Sequence, residues 1–239
     1  MPYSYYGYGD FLANNIYVIL LIPVLLLSVW AQAQVSGSFR RYSRVANRRH
    51  LTGAQAAEAV LRSHGIYDVP VRSCRGNHYD PRDNTIYLSE NVYAASTVAA
   101  VGVACHEAGH AVQYAVGYGP IKVRSAIIPI TQFGSRFSFV LLLIGLLLYS
   151  QPLFLVGILL FSLTTVFQLV TLPVEFNASH RALETIEGQG LLDGEELDGA
   201  KKVLRAAAMT YVAALLMSAL QLLRYVLIFL GRDRRGGRD

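Results

Sequence analysis

The residues best suited to chemistry stand together at positions 105–110, which read CHEAGH and contain the pattern HExxH. In a helix of 3.6 residues per turn, His106 and His110 lie one turn apart on the same face, where both imidazoles can bind one metal ion. Glu107 is placed beside them to accept a proton from a metal-bound water. Two imidazoles leave a tetrahedral ion half-coordinated, so the pattern requires a third ligand elsewhere in the chain.

Glu175 is the predicted third ligand. It follows directly after an apolar run, and the segment from Pro173 onwards is compatible with a helix. In that helix Ser179 stands one turn from Glu175, within reach of a hydrogen bond to a ligand side chain. Asp193 is the alternative, because its triplet Leu-Asp-Gly is similar to a motif of site-2-type intramembrane proteases. The neighbours of Asp193 at 195–202 include several charged side chains, unlike a membrane-embedded motif, so the sequence favours Glu175.

The composition indicates a membrane protein that carries a modest polar part. The 239 residues are 53% hydrophobic and only 15% charged, whereas a typical soluble domain is about 25% charged. Because only Asp10 is charged before the first apolar run, that run lacks the basic flank of a signal peptide and is predicted to remain as an anchor. Four apolar runs predict four spans, with the middle two forming a hairpin, at residues 16–33, 137–149, 152–172 and 206–230.

The placement of arginines predicts the orientation of these spans. Five arginines follow the first span within residues 40–49, and none precedes it. The positive-inside rule then places residues 36–136 and 173–205 in the cytoplasm. Four full crossings would leave the arginine-rich tail outside, so the sequence leaves open whether the last segment crosses. Arginines that flank spans account for much of the net charge of +5, and no nucleic-acid partner is expected.

These patterns predict a mainly α membrane protein with a small α+β cytoplasmic metallopeptidase domain. We expect about four transmembrane helices and a short two- to three-stranded sheet beside the HExxH helix. A capping box at Thr52 to Gln55 opens an earlier helix. The predicted domains are an N-terminal anchor (1–35), a metallopeptidase region (36–136), a transmembrane hairpin (137–172), helices with the third ligand (173–205), and a membrane segment with a basic tail (206–239).

The two cysteines, Cys74 and Cys105, have no spacing typical of a metal site. We expect both to be free thiols, which fits a reducing compartment.

Three motifs together resemble the YugP-type membrane zinc metallopeptidases. They are HEAGH at 106–110, EFNASHRA at 175–182 and HYDPR with IYLS within 78–89. More distantly, the layout is similar to the HtpX-type membrane peptidases. The resemblance covers most of the chain and implies one zinc ion bound by the two histidines and Glu175, with Glu107 as catalytic base. Two departures concern neighbouring positions. His180 stands where the family usually has arginine, and HtpX-like enzymes have an acidic residue where Ser179 stands.

The expected reaction is hydrolysis of peptide bonds in membrane or membrane-proximal proteins by a zinc-activated water. A second electrophile usually helps to hold the oxyanion, and Tyr79, Arg181 and His78 are the candidates. The segment 85–89, with Ile86, Tyr87 and Leu88, is predicted to be an edge strand that binds an extended substrate through main-chain hydrogen bonds.

Two other functions remain open from the sequence. The first is a zinc-bound scaffold without hydrolytic activity, acting in membrane-protein assembly or quality control. The intact Glu107 argues against it, because a site that only binds has no need of a base. The second is a small transporter that uses Arg136 or Arg224, since charges within spans often mark pathways.

Overall fold

The computed structural model of the chain describes the backbone of residues 8–236 and the side chains of residues 19–230. Within these residues it contains seven helices and three strands. In chain order they are α1 (Tyr8–Tyr42), α2 (Gly53–Ser63), β1 (Val71–Cys74), β2 (His78–Asp80), β3 (Thr85–Ser89), α3 (Glu90–Tyr93), α4 (Val98–Ala115), α5 (Gly119–Leu147), α6 (Gln151–Gly188) and α7 (Glu195–Gly236).

Four helices in the described part of the chain are long and apolar enough to cross a membrane. They are Ile19–Tyr42 within α1, the whole of α5 and α6, and Glu195–Leu230 within α7. The predicted number of apolar helices is therefore confirmed for these residues. The helices extend beyond the apolar runs: α5 begins 18 residues before position 137, and α6 continues through Pro173. They can do so because helical hydrogen bonds join main-chain groups and do not require apolar side chains.

The described residues divide into two compact units. The first holds the described residues of Met1–Trp30, Ile127–Leu169 and Val212–Asp239. Within this unit the two helices of the hairpin pack closely at Gly145. A Cβ at this position would lie only 2.5 Å from the main-chain nitrogen of Phe154. Its core contains the buried residues Leu142, Phe154 and Ile158, and the partly buried Tyr225 and Phe229 pack against them. The domain boundaries inferred from the sequence stay a prediction.

The second unit comprises Ala31–Ala126 and Val170–Tyr211, and α4 lies in its core. Of the 18 residues of α4, 14 are buried, so protein side chains rather than lipid surround this helix. Most of these residues are alanine, glycine or valine, and small side chains let neighbouring helices approach closely. A Cβ on Gly102, for example, would lie 3.5 Å from the Cβ of Ala200 in α7. The predicted capping box at Thr52 is confirmed at the start of α2.

The second unit also contains the sheet, whose strand order is β1-β3-β2. Strand β3 runs parallel to β1 and antiparallel to β2, with Ile86 paired to Val71 on one side and to Tyr79 on the other. The prediction of a small sheet is confirmed. The prediction that 85–89 is an edge strand is wrong, because β1 and β2 already occupy both sides of its main chain. Ile86 and Leu88 are fully buried, while Tyr87 points to the other face and is partly exposed.

Both cysteines are free, as predicted. Cys105 is completely buried in the core around α4, and burial raises the pKa of its thiol. It therefore packs as a small neutral side chain.

Candidate metal centre

Helices α4 and α6 bring the predicted ligands together. One ligand atom each from His106, His110 and Glu175 lies within 4.8 Å of the other two. The Oε2 atom of Glu175 is 3.2 Å from Nε2 of His106 and 3.7 Å from Nε2 of His110. Glu175 is only 2% exposed although it is a carboxylate. Two imidazole nitrogens and a carboxylate oxygen therefore converge on one enclosed point.

The close approach of the two helices depends on Gly109. A Cβ at this position would lie 2.6 Å from the carbonyl oxygen of Ala178 in α6, a distance that real Cβ atoms do not reach. Ala178 lies between Glu175 and Ser179 in the chain, so the contact is made beside the candidate ligand. The glycine within HExxH is thus a packing requirement of the site.

Each histidine also has a partner at its second ring nitrogen. Nδ1 of His106 forms a hydrogen bond with Oγ of Ser179 (3.1 Å), and Nδ1 of His110 forms one with Oε1 of Gln113 (3.0 Å). Both Nδ1 atoms are therefore engaged, which leaves both Nε2 atoms facing Glu175. Ser179 makes the kind of contact that the sequence predicted for it. Gln113 was not predicted, although its place three residues after His110 could have pointed to it.

Arg124 and Tyr211 complete the surroundings of Glu175, and neither was predicted. Nη1 of Arg124 is 3.2 Å from Oε1, the other carboxylate oxygen of Glu175. The Nε atom of Arg124 is buried and has no hydrogen-bond partner. Tyr211 is half-buried and close enough to interact electrostatically with Glu175, Arg124 and Glu107. Both residues are far from the motif in the chain, so spacing gave no signal for them.

Glu107 is 9% exposed. Within the described part of the chain, its carboxylate forms none of the side-chain hydrogen bonds or ion pairs found. Burial by itself lowers the pKa of His110. The interaction with the Glu175 carboxylate and the charge of Glu107 together outweigh burial and raise that pKa above its usual value of 6.5. The surroundings of His110 thus favour its positively charged form.

The family described as "Putative neutral zinc metallopeptidase" matches residues 17–230 of the chain. The chain belongs to this family. It is also 47% identical over 222 residues to the "Putative membrane protease YugP" of Bacillus subtilis (strain 168), covering 91% of this chain and 99% of that protein. The family resemblance seen in the sequence is confirmed. No solved structure matches the chain.

The residues at the centre fit the zinc ion that the family implies. Oε2 of Glu175 is buried without a hydrogen-bond partner, which is costly for a carboxylate oxygen in a protein interior. It faces the Nε2 atoms of His106 and His110, so one divalent cation would satisfy all three atoms. Two imidazoles and one carboxylate, with a fourth position open, form a ligand set typical of catalytic zinc.

Asp193, the alternative third ligand, lies elsewhere. It belongs to the turn between α6 and α7 and lines a separate cavity with Arg41 and Glu195. Among the described residues, the group that could hold a metal contains Glu175 and not Asp193. The geometry of the second unit therefore supports Glu175 over Asp193.

The three candidate electrophiles from the sequence have other partners. The hydroxyl of Tyr79 donates to Oδ1 of Asn84 (2.7 Å), and burial is the main cause that raises the pKa of Tyr79 to about 12. His78 stacks on the ring of Tyr87, with 5.1 Å between ring centroids. Nε of Arg181 donates to Oδ1 of Asn177 on the same helix. None of these contacts is with a candidate metal ligand.

Proposed function

We propose that this protein is a membrane zinc endopeptidase that hydrolyses peptide bonds of membrane or membrane-proximal proteins. The observation that carries the proposal is the position of Glu175 Oε2, at 3.2 and 3.7 Å from Nε2 of His106 and His110. Membership of a zinc metallopeptidase family supports the metal and the reaction class. The relative described as a membrane protease and the four apolar helices support the location.

In this proposal His106, His110 and Glu175 hold one zinc ion. Bound there, zinc supplies a water of lowered pKa and polarises the scissile carbonyl. Glu107 accepts a proton from the attacking water as its oxygen bonds to the carbonyl carbon. Glu107 then delivers that proton to the leaving amine as the carbon–nitrogen bond breaks. The second proton of the water also passes to the amine. The products are therefore a new carboxylate and a new ammonium group, and one water is consumed.

Negative charge develops on the carbonyl oxygen during this reaction, and we assign Arg124 and Tyr211 to stabilise it. Arg124 carries a permanent positive charge beside Glu175 and has an Nε–H without a hydrogen-bond partner. Tyr211 brings a hydroxyl donor within interaction range of Glu107 and Glu175. Donors fixed in place before the reaction stabilise such a charge without reorganisation.

We also propose that the site faces the cytoplasm. The support is the cluster of five arginines after the first apolar helix, because basic residues next to a span are retained on the cytoplasmic side. The cluster comprises Arg40, Arg41, Arg44, Arg48 and Arg49. Labelling of single introduced cysteines in sealed vesicles, on a background without the two native thiols, tests this orientation.

The central experiment uses the full chain in detergent. Wild type, Glu107→Gln and His106→Ala are compared for zinc content, self-cleavage and cleavage of a casein-like substrate, with and without chelator. We expect Glu107→Gln to keep zinc and lose hydrolysis, whereas His106→Ala loses both. Cleavage that persists in both variants rules the mechanism out. Stoichiometric zinc without any cleavage that depends on Glu107 supports the non-hydrolytic scaffold instead.

A further inference from the structure

We propose that Gln113 is a positioning residue that fixes the orientation of His110 through a hydrogen-bond relay to Asn177 and Arg181. The inference rests on the proposed function only in taking His110 as a metal ligand. It adds a role for three side chains outside the ligand set and the general base.

Gln113 is completely buried, with 0% exposure. Its Oε1 lies 3.0 Å from Nδ1 of His110, and its Nε2 donates to the carbonyl oxygen of Val174 (2.8 Å) and to Oδ1 of Asn177 (2.9 Å). Nε of Arg181 donates to the same Oδ1 atom at 2.9 Å. Both polar ends of the Gln113 amide are therefore paired. A buried polar side chain in this state is rigid, because every alternative rotamer loses hydrogen bonds.

The direction of the relay follows from groups that cannot reverse their roles. The carbonyl oxygen of Val174 can only accept, so the part of the Gln113 amide that faces it is the NH₂ group. Oε1 of Gln113 consequently faces His110 and must accept a proton from Nδ1. The Nε–H of Arg181 can only donate, which fixes Oδ1 of Asn177 as the atom shared by both donors. In the neutral imidazole, Nε2 of His110 is then the nitrogen that carries a lone pair for a metal.

The same amide connects the two ligand-bearing helices. Gln113 lies on α4 one turn beyond His110, whereas Val174 directly precedes Glu175 on α6. One side chain therefore orients an imidazole on α4 and holds the main chain next to the carboxylate on α6. Loss of Gln113 should disturb the direction of His110 and the spacing to Glu175 together.

The test measures zinc affinity by chelator competition on the full chain in detergent. We expect Gln113→Ala to bind zinc about 10- to 100-fold more weakly, the usual effect of losing a partner of a ligand histidine. Asn177→Asp should bind zinc nearly as well as wild type, because Oδ1 remains an acceptor for both donors. Asn177→Leu, of similar size but without an acceptor, should bind more weakly. The matched control is Gln55→Ala, which removes an amide that accepts from Thr52 N in the α2 capping box and should leave zinc affinity unchanged.

A second readout follows the imidazole itself. In zinc-loaded protein with ¹⁵N-labelled histidine, the Nδ1–H of His110 should give an NMR signal protected from exchange with water. Gln113→Ala should lose that protection, which a general loss of stability in the folded protein would not do selectively.

Two results overturn the inference. One is wild-type zinc affinity in Gln113→Ala with an unchanged His110 signal. The other, which applies if Gln113→Ala does not fold, is equal zinc affinity in Asn177→Leu and Asn177→Asp. Failure of the proposed function is distinguishable, because a non-hydrolytic protein can still bind zinc in a Gln113-dependent manner. Conversely, cleavage that depends on Glu107 together with Gln113-independent zinc affinity rejects the positioning role alone.

Discussion

Gly109 lies against the main chain of Ala178 so closely that any side chain at position 109 would collide with the Ala178 carbonyl oxygen. The two residues belong to α4 and α6, the helices that carry the histidines and Glu175. The distance between these helices is therefore set by the absence of a Cβ at one position.

Gly109→Ala should separate α4 from α6 and weaken zinc binding. An inserted methyl group in a packed interior costs about 1–3 kcal/mol, because neighbouring groups must shift. Chelator competition and thermal unfolding measure both effects. The control is Gly37→Ala, since a Cβ at Gly37 meets nothing within 4 Å and alanine is the better helix former by about 0.5–1 kcal/mol. Equal zinc affinity in wild type and Gly109→Ala would contradict the prediction.

Arg124→Gln should lower the cleavage rate more than it lowers zinc affinity. The change removes the positive charge beside Oε1 of Glu175 while keeping a polar side chain. Loss of one preorganised donor to the oxyanion commonly costs about 10²- to 10³-fold in kcat. Steady-state kinetics and zinc analysis of the same preparations measure the two effects. Arg124→Lys keeps the positive charge but lacks the planar guanidinium group. Its cleavage rate should therefore lie between those of wild type and Arg124→Gln. A rate in Arg124→Gln equal to that of wild type removes Arg124 from the mechanism.

Tyr211→Phe should keep zinc and the fold but lose about 10²-fold in kcat, because it deletes only the hydroxyl donor. KM should change little, since the hydroxyl is proposed to act on charge that develops during the reaction. Tyr225→Phe is the control, because Tyr225 packs its ring against Phe154 and Phe161 in the other unit. Unchanged kcat in Tyr211→Phe, or an equal loss in Tyr225→Phe, speaks against the assignment.

As pH is lowered, zinc affinity should begin to fall at a higher pH than it would for a site whose histidines have their ordinary pKa. The raised pKa of His110 means that a proton competes for this imidazole above the usual 6.5. The stability of the metal-free protein should depend on pH in the opposite direction. The stability that the raised pKa of His110 adds is fully present below pH 6.5 and is lost as pH rises through the raised pKa. Chelator competition and unfolding of both forms between about pH 5 and 8 test this contrast.

The control for the pH prediction is His180→Asn. His180 pairs with Glu184 on an exposed part of α6, so its loss should not move the zinc profile. Parallel pH dependence of stability in the metal-free and zinc-loaded proteins would show that His110 is not the group concerned.

Local patterns made the helical part of the fold and the proximity of the first two candidate ligands predictable. The spacing of His106 and His110 is a property of one helix, and the Thr52 capping box spans four residues. The place of β3 at the centre of the sheet was not predictable in this way. Strand order depends on how the chain crosses between β1 and β3, and the partner β2 has only three residues within a turn-rich segment.

The surroundings of the candidate ligands were the least predictable part of the site. Gln113, Arg124 and Tyr211 lie on three different helices and meet Glu175 or its neighbours only after folding. In the sequence, Arg124 is one charged residue before an apolar run, and Tyr211 is an aromatic residue within another. Their closeness to Glu175 results from packing between helices that are distant in the chain, and the periodicity of the sequence gives no information about such packing.

The pairing of Arg124 with Glu175 also affects the net charge of the pocket. With both carboxylates of Glu107 and Glu175 ionised and the imidazoles neutral, two negative charges face the one positive charge of Arg124, so the net charge of the metal-free pocket is negative. A bound divalent ion would make this net charge positive. In the proposed reaction the new carboxylate terminus would form inside a cationic pocket, where the attraction of opposite charges would slow its release. On this proposal, short peptides with a free carboxyl end should inhibit cleavage.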